Sequence, residues 1–209
     1  MCPPNNMNRI AFFVDGFNVY HALLENPAYV KCKWLNLVKL AECFVGRNDN
    51  LVKVFYFTAY TTWNPDKVTR HQIYVKALQH AGVEVVLGMF KYKQKRCRNC
   101  NTLYDTHEEK ETDVNIATML FKTAVQDLYD SAVIVTGDSD LVPAVKAVKS
   151  VFPTKKIGVM IPIGRSAEDL KKNCDFRFKM KERHLQTSQF PDVIDLGGGV
   201  KLERPKTWV

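Results

Sequence analysis

The chain has 209 residues, of which 46% are apolar and 25% charged, so it reads as an ordinary soluble globular protein: one domain, with room for an appendage, that needs no disulfide staples. No apolar run approaches the ~20 residues of a membrane span. Before the first strand there is Arg9, but no separate h-region and no small-residue cleavage site, so a secretory signal is not expected. A net charge of +8 leans toward polyanionic partners, although surplus Lys and Arg also serve solubility alone.

"IAFFV", residues 10–14, is a continuous apolar run ending in Asp15-Gly16, the pattern of a fully buried strand in a parallel sheet. Apolar spacing predicts a helix from Trp34 to Val45, stopped by Gly46 and Asn48. Residues 51–60 form a second strand. Asn64-Pro65 then reads as an N-cap and first helical position, for a helix to about Ala81 with Gly82 beyond it. A third strand spans 83–93. A helix from Thr112 to about Leu128 carries Val114, Ala117, Leu120, Phe121, Ala124, Val125 and Leu128 on one face. "SAVIVTG" is the fourth strand, 141–151 a helix, 155–163 the fifth strand. Ser166 is placed to cap a short helix to Asn173, and "FRFKM" suits an edge strand.

Strands alternating with helices predict a three-layer α/β/α domain over residues 1–181, with a mostly parallel sheet of five to six strands. Residues 182–209 lose the rhythm. Their "DLGGGVKLERPKTW" predicts a loop, hairpin or arm.

In open α/β sheets, ligands bind beyond the carboxyl ends of the strands. Asp15 lies at the end of the first strand, and Asp138 and Asp140 at the end of the fourth. Asp113 lies at the start of the preceding helix, which can share that rim. Bare, four such carboxylates repel and raise one another's pKa. A divalent cation reverses the sign, and an all-oxygen set without histidine suits Mg²⁺ or Mn²⁺. Each residue also has a plain structural explanation. Asp140 could cap the helix at Leu141, Asp113 could complement a helix dipole, and Asp15-Gly16 could be a turn. What favours metal is that all four fall on one rim.

Taken in order, "FFVDGFNVY", "HEEKETDVNIA" and "VIVTGDSDLVPAV" resemble the NYN domain family, a branch of the PIN-like nucleases. The nearest group looks LabA-like. "PIGRSAEDLKKNCDF" is similar to the family's closing segment, and the resemblance spans about Ile10 to Lys179. It implies a PIN-like fold and a metal-dependent ribonuclease. Asp15, Asp113, Asp138 and Asp140 would hold metal, with Asp138 the surer of the last pair. Asn18 would bind metal water or phosphate, Ser139 would assist, and Glu109 matches the glutamate of the "EEK" segment. The chain departs from the family pattern at Met119, where many relatives carry an acid, and at Glu111, where glycine often follows "EK".

Lys91, Lys93, Lys95, Arg96 and Arg98 fall within eight residues free of acid, with Tyr92 among them. A basic hairpin at about 91–106 would bind phosphates without reading sequence, and Tyr92 and Tyr104 could stack on unpaired bases. Its "CRNC" (Cys97 to Cys100) is half of a zinc site, with His107 a possible third ligand; a redox pair or a plain hairpin with free thiols are the other readings. Cys2, Cys32, Cys43 and Cys174 complete the cysteines, and free thiols suit a reducing cytoplasm.

The sequence therefore predicts a cytoplasmic Mg²⁺- or Mn²⁺-dependent endoribonuclease acting on single-stranded RNA, without a covalent intermediate. The first alternative is a PIN-like module that binds RNA or protein and cleaves weakly or not at all. A homo-oligomer or protein partner is open. An aspartyl-phosphate phosphohydrolase is disfavoured because Phe17 stands where its second aspartate would be. A dinucleotide-binding loop is disfavoured by the acid at Asp15.

Overall fold

The computed structural model describes residues 7–208. Cys2 lies outside them. β1 (Asn8–Asp15) occupies an inner position of a six-stranded sheet. Ile10, Phe12 and Val14 pack into one core, and Ala11 and Phe13 into another on the opposite face. With both faces buried, no polar alternation is possible, which is why the segment reads as an unbroken apolar run.

β2 (Asp49–Thr58) and β3 (Glu84–Leu87) continue the sheet on one side of β1. β6 (Ser131–Val135), β7 (Lys156–Ile161) and β8 (Phe176–Lys179) continue it on the other. The order is β3-β2-β1-β6-β7-β8, and every pairing is parallel. The chain leaves β1 toward one edge and β6 toward the other. The crevice between the carboxyl ends of these two strands is thus the topological switch point, where open α/β sheets bind ligands.

α1 (Gly16–Leu24), α2 (Leu37–Glu42) and α3 (Pro65–His80) cover one face. α4 (Thr112–Val125), α5 (Val142–Val151) and α6 (Glu168–Asn173) cover the other. This is the expected three-layer arrangement.

α1 was not among the sequence-predicted helices. Its Phe-Asn-Val-Tyr start has modest helix propensity, and tertiary contact decides. The Asp15 side chain caps it, and Gly16, Val19 and Leu23 repeat at helical spacing into the core. Gly16 has to be glycine: a Cβ there would lie 2.6 Å from the Phe57 carbonyl oxygen and 2.7 Å from the Tyr56 ring.

Three other expectations are corrected. The helix predicted from Trp34 begins at Leu37, because Asn36 caps it and Leu35 instead bridges to Gln189. Ser166 does not cap α6; its hydroxyl donates to the Glu168 carboxylate. The strand predicted over 83–93 breaks at Gly88, where a Cβ would stand 2.8 Å from the Lys110 carbonyl oxygen. Beyond it β4 (Met89–Arg96) leaves the sheet and pairs with β5 (Leu103–Lys110) as an antiparallel hairpin.

The C-terminal segment packs on the domain. It forms α7 (Glu182–Thr187) and a small hairpin of β9 (Val193–Asp195) and β10 (Lys201–Glu203). Trp34, fully buried, donates from Nε1 to the Pro191 carbonyl at 2.8 Å and lies against Tyr74, Phe190 and Trp208.

Glu111, which precedes α4, has φ +81°, a left-handed conformation that favours glycine. Glu111→Gly is expected to stabilise the protein by about 0.5–1 kcal/mol, raising the thermal midpoint by roughly 2 °C. A calorimetric scan checks this, and an unchanged or lower midpoint would contradict the strain.

Candidate metal centre

The rim is organised around Asp15, which is only 5% exposed. One carboxylate oxygen accepts the Asn18 N–H at 2.9 Å, and the other accepts the Thr136 hydroxyl at 2.9 Å. Thr136 Oγ1 in turn accepts the Asp138 N–H at 3.1 Å. The Asn18 side-chain oxygen accepts the Gly137 N–H at 2.8 Å. Two short hydrogen-bond paths therefore tie the end of β1 to the loop after β6, across the switch point. Burial pushes the Asp15 carboxyl up to about 6, against the pull of its two donors and with help from the charges of Asp113 and Asp138.

Asp113, Asp138 and Asp140 each bring a carboxylate oxygen within 4.8 Å of the other two. Asp113 comes from the first turn of α4, and the other two from the turn after β6. Desolvation raises the Asp113 pKa, and the charges of Asp138, Glu109 and Asp140 raise it further. A hard oxygen donor set under mutual repulsion fits a divalent cation. Asp15 stands behind this trio rather than within it. Capping falls differently from the sequence expectation: Asp138, not Asp140, accepts a backbone N–H, that of Asp140 at 3.0 Å.

Glu109 accepts the Thr112 N–H at 3.1 Å and also the Thr112 hydroxyl, which fixes the approach to α4. Ser139 opens the turn that carries Asp140. Met119 is partly buried against the α4-side core, so the position of the missing acid is filled by packing.

Two further residues belong to this rim. Thr136 holds both Asp15 and the Asp138 backbone. Arg165 packs beside Gly137, where a Cβ would lie 2.9 Å from its own Cβ, and pairs with Glu25 at 2.7 Å. Its Nε is buried without a hydrogen-bond partner among the described residues. The rule that pointed to Asp138 also points to Arg165, since the loop after β7 opens on the same edge.

The hairpin roots at this rim, because β5 runs directly into α4. Phe90 at its base meets Phe17 of α1 edge-on at 5.4 Å. The basic run is less bare than its sequence suggests, since β5 supplies acids across the ladder. Lys93 pairs with Glu108 at 3.2 Å, and the Tyr92 hydroxyl donates to Asp105. Lys91, Lys95, Arg96 and Arg98 are exposed and make no ion pair among the described residues. His107 is not brought to the cysteines. It sits across from Tyr92, four ladder positions from the Arg96–Leu103 pair that precedes the tip, or ~13 Å along the strand, and stacks on Trp63 at 3.6 Å. Among the described residues the aspartate trio is the one cluster of three metal-type ligands, so a zinc site through His107 gains no support.

The NYN domain model matches residues 9–180, across β1 to β8 and both halves of the rim. The chain belongs to the NYN family. An NYN domain implies a nuclease-type function, and the acidic trio is a group that could hold a divalent metal. The chain is also similar to a Pseudomonas putida protein, 6-hydroxy-3-succinoylpyridine 3-monooxygenase HspA, with 28% identity over 96% of this chain and 75% of that protein. A crystal structure of a Vibrio parahaemolyticus protein of unknown function shares the fold, with a TM-score of 0.57 and 20% identity over 87% of this chain and 98% of that one. No helix among the described residues is long and apolar enough to cross a membrane.

A raised folded pKa means that the fold favours neutral Asp15. That preference stabilises the metal-free protein fully below the unfolded value near 4, and is lost as pH rises through about 6. Urea unfolding in EDTA should therefore show wild type losing on the order of 2 kcal/mol relative to Asp15→Asn between pH 4 and pH 7.5. A pH-independent difference would contradict the assigned burial.

Proposed function

We propose that this protein is a divalent-metal-dependent endoribonuclease. The observation that carries the reading is the convergence of Asp113, Asp138 and Asp140 at the switch point of an NYN domain. These three carboxylates would hold Mg²⁺ or Mn²⁺, with Asp15 completing the set from behind. When bound, such a cation helps a water ionise and stabilises charge on a phosphodiester in displacement.

The chain's own residues do the positioning. Thr136 and the Asn18 side chain lock the two strand ends together, so the loop carrying Asp138 and Asp140 is held before any ligand arrives. The amide nitrogen of Asn18 makes no hydrogen bond among the described residues and is available to a phosphate oxygen or a water. Ser139 and Arg165 would contact the phosphate from the neighbouring loops. Lys91, Tyr92, Lys93, Lys95, Arg96 and Arg98 on the hairpin would bind the backbone and bases of single-stranded RNA. Placement in the LabA-like group and a cytoplasmic location, in keeping with the free thiols, belong to the same proposal.

The likeness to the Pseudomonas putida monooxygenase favours a second reading, chemistry on a small aromatic molecule. It covers 96% of the chain, beyond the 9–180 of the domain.

Labelled single-stranded RNA, incubated with purified protein in Mn²⁺, Mg²⁺ or EDTA, tests the ribonuclease reading. Cleavage should require metal and fall at least ~100-fold in Asp138→Asn. RNA that stays whole in both metals would remove the ribonuclease. If it still bound in a salt-sensitive way, the chain would be an RNA-binding module.

A further inference from the structure

A cavity of about 700 Å³ lies on the α1–α3 side of the sheet, bounded by the hairpin root and the C-terminal tail. That is the size of a small-molecule site. Its walls are aromatic: Phe17, Tyr20, Tyr56, Tyr74, Phe90 and Trp208. Rings on several sides select a flat, apolar occupant.

The polar groups are few and specific. Lys33, Lys67 and Arg70 line the cavity, and none of them makes an ion pair or a side-chain hydrogen bond among the described residues. Lys33 and Arg70 are close enough that the charge of Arg70, after desolvation, depresses the Lys33 pKa. Lys33 Nζ also lies 5.5 Å from the centre of the Trp208 ring. The acids in the lining do not neutralise them. Glu108 is held by Lys93 at 3.2 Å and Lys110 at 3.4 Å, and Glu109 by Thr112. Two partly buried cations side by side without a counter-charge are costly unless an anion joins them.

His71 adds a directional group. Its Nε2 lies 3.2 Å from the Thr58 hydroxyl, and burial lowers its pKa to about 4, so it is a neutral imidazole at physiological pH. Its other ring nitrogen has no partner among the described residues and can meet a hydroxyl or ring nitrogen.

We propose that this cavity is a binding site for a free, planar aromatic acid, with its carboxylate on Arg70 and Lys33 and its ring among Tyr56, Tyr74 and Phe90. A guanidinium recognises a carboxylate in two-point geometry, with Lys33 as a second point charge. The cavity is walled by two helices, the tail and the hairpin, so it suits a single ring better than a continuing polymer. It is distinct from the aspartate trio, and its occupation does not depend on whether that rim cleaves RNA. Gly16 and Glu109 in its lining bring its edge up to the rim.

The test uses the whole chain and a panel of simple aromatic carboxylates, nicotinate and 4-hydroxybenzoate among them, each with its neutral amide. Binding is read by ligand-observed NMR and by quenching of tryptophan fluorescence. At least one acid should bind, its amide at least tenfold more weakly, and Arg70→Gln should weaken the acid at least tenfold while the thermal midpoint stays within a few degrees. Lys33→Met should weaken it in the same direction. Three results would overturn the proposal: no acid of the panel binding at millimolar concentration, acids and amides binding alike, or displacement of the acid by a short oligouridylate, which would assign the cavity to RNA. Failure of the ribonuclease assay alone leaves the result of this titration as the judge of the cavity.

Discussion

A buried carboxylate at the seam of the sheet is the constraint on which the rest of the site depends. Asp15 ends the strand from which the two halves of the sheet diverge, and its oxygens are claimed from both sides, by the start of α1 and by Thr136. A nearly dehydrated acid is expensive. The cost is tolerable only because two donors face it, and its geometry fixes the loop that carries Asp138 and Asp140. The loop that carries Asp138 and Asp140 is thus held by hydrogen bonds that exist without ligand, the kind of preorganisation a metal site requires.

Much of this was legible in the sequence. Long strands buried on both faces announce themselves as apolar runs, and the rule that ligands gather at carboxyl ends of parallel strands pointed to Asp113, Asp138 and Asp140. The "FVDGFN" and "TGDSD" segments carried the family. The hidden parts were those decided by distant contacts. α1 has weak intrinsic propensity and forms because Asp15 caps it and Gly16 lets it approach Tyr56. The basic run looked unopposed because its acids arrive a dozen residues later, across the hairpin. His107 looked like a third zinc ligand by spacing along the chain, but a β-ladder carries it away from the cysteine tip and into a stack with Trp63. Strand-end position marks the loops of Thr136 and Arg165, but a threonine and an arginine there carry no sign of their partners.

The aromatic cavity was the least legible feature of all. Its walls come from α1, β2, α3, the hairpin root and Trp208 near the C-terminus, residues up to about 190 positions apart. The tail makes one wall by packing Trp208 against Trp34 and Tyr74. An acidic rim open to solvent therefore adjoins an apolar cavity with uncompensated cations.

Whether the rim is a cation site is tested most directly by titration of Mn²⁺ followed by electron paramagnetic resonance. Wild type at pH 7.5 should bind Mn²⁺ in a state that Asp113→Asn and Asp138→Asn each weaken at least tenfold, with Mg²⁺ competing. Equal binding by wild type and both variants would place any metal elsewhere and contradict the account.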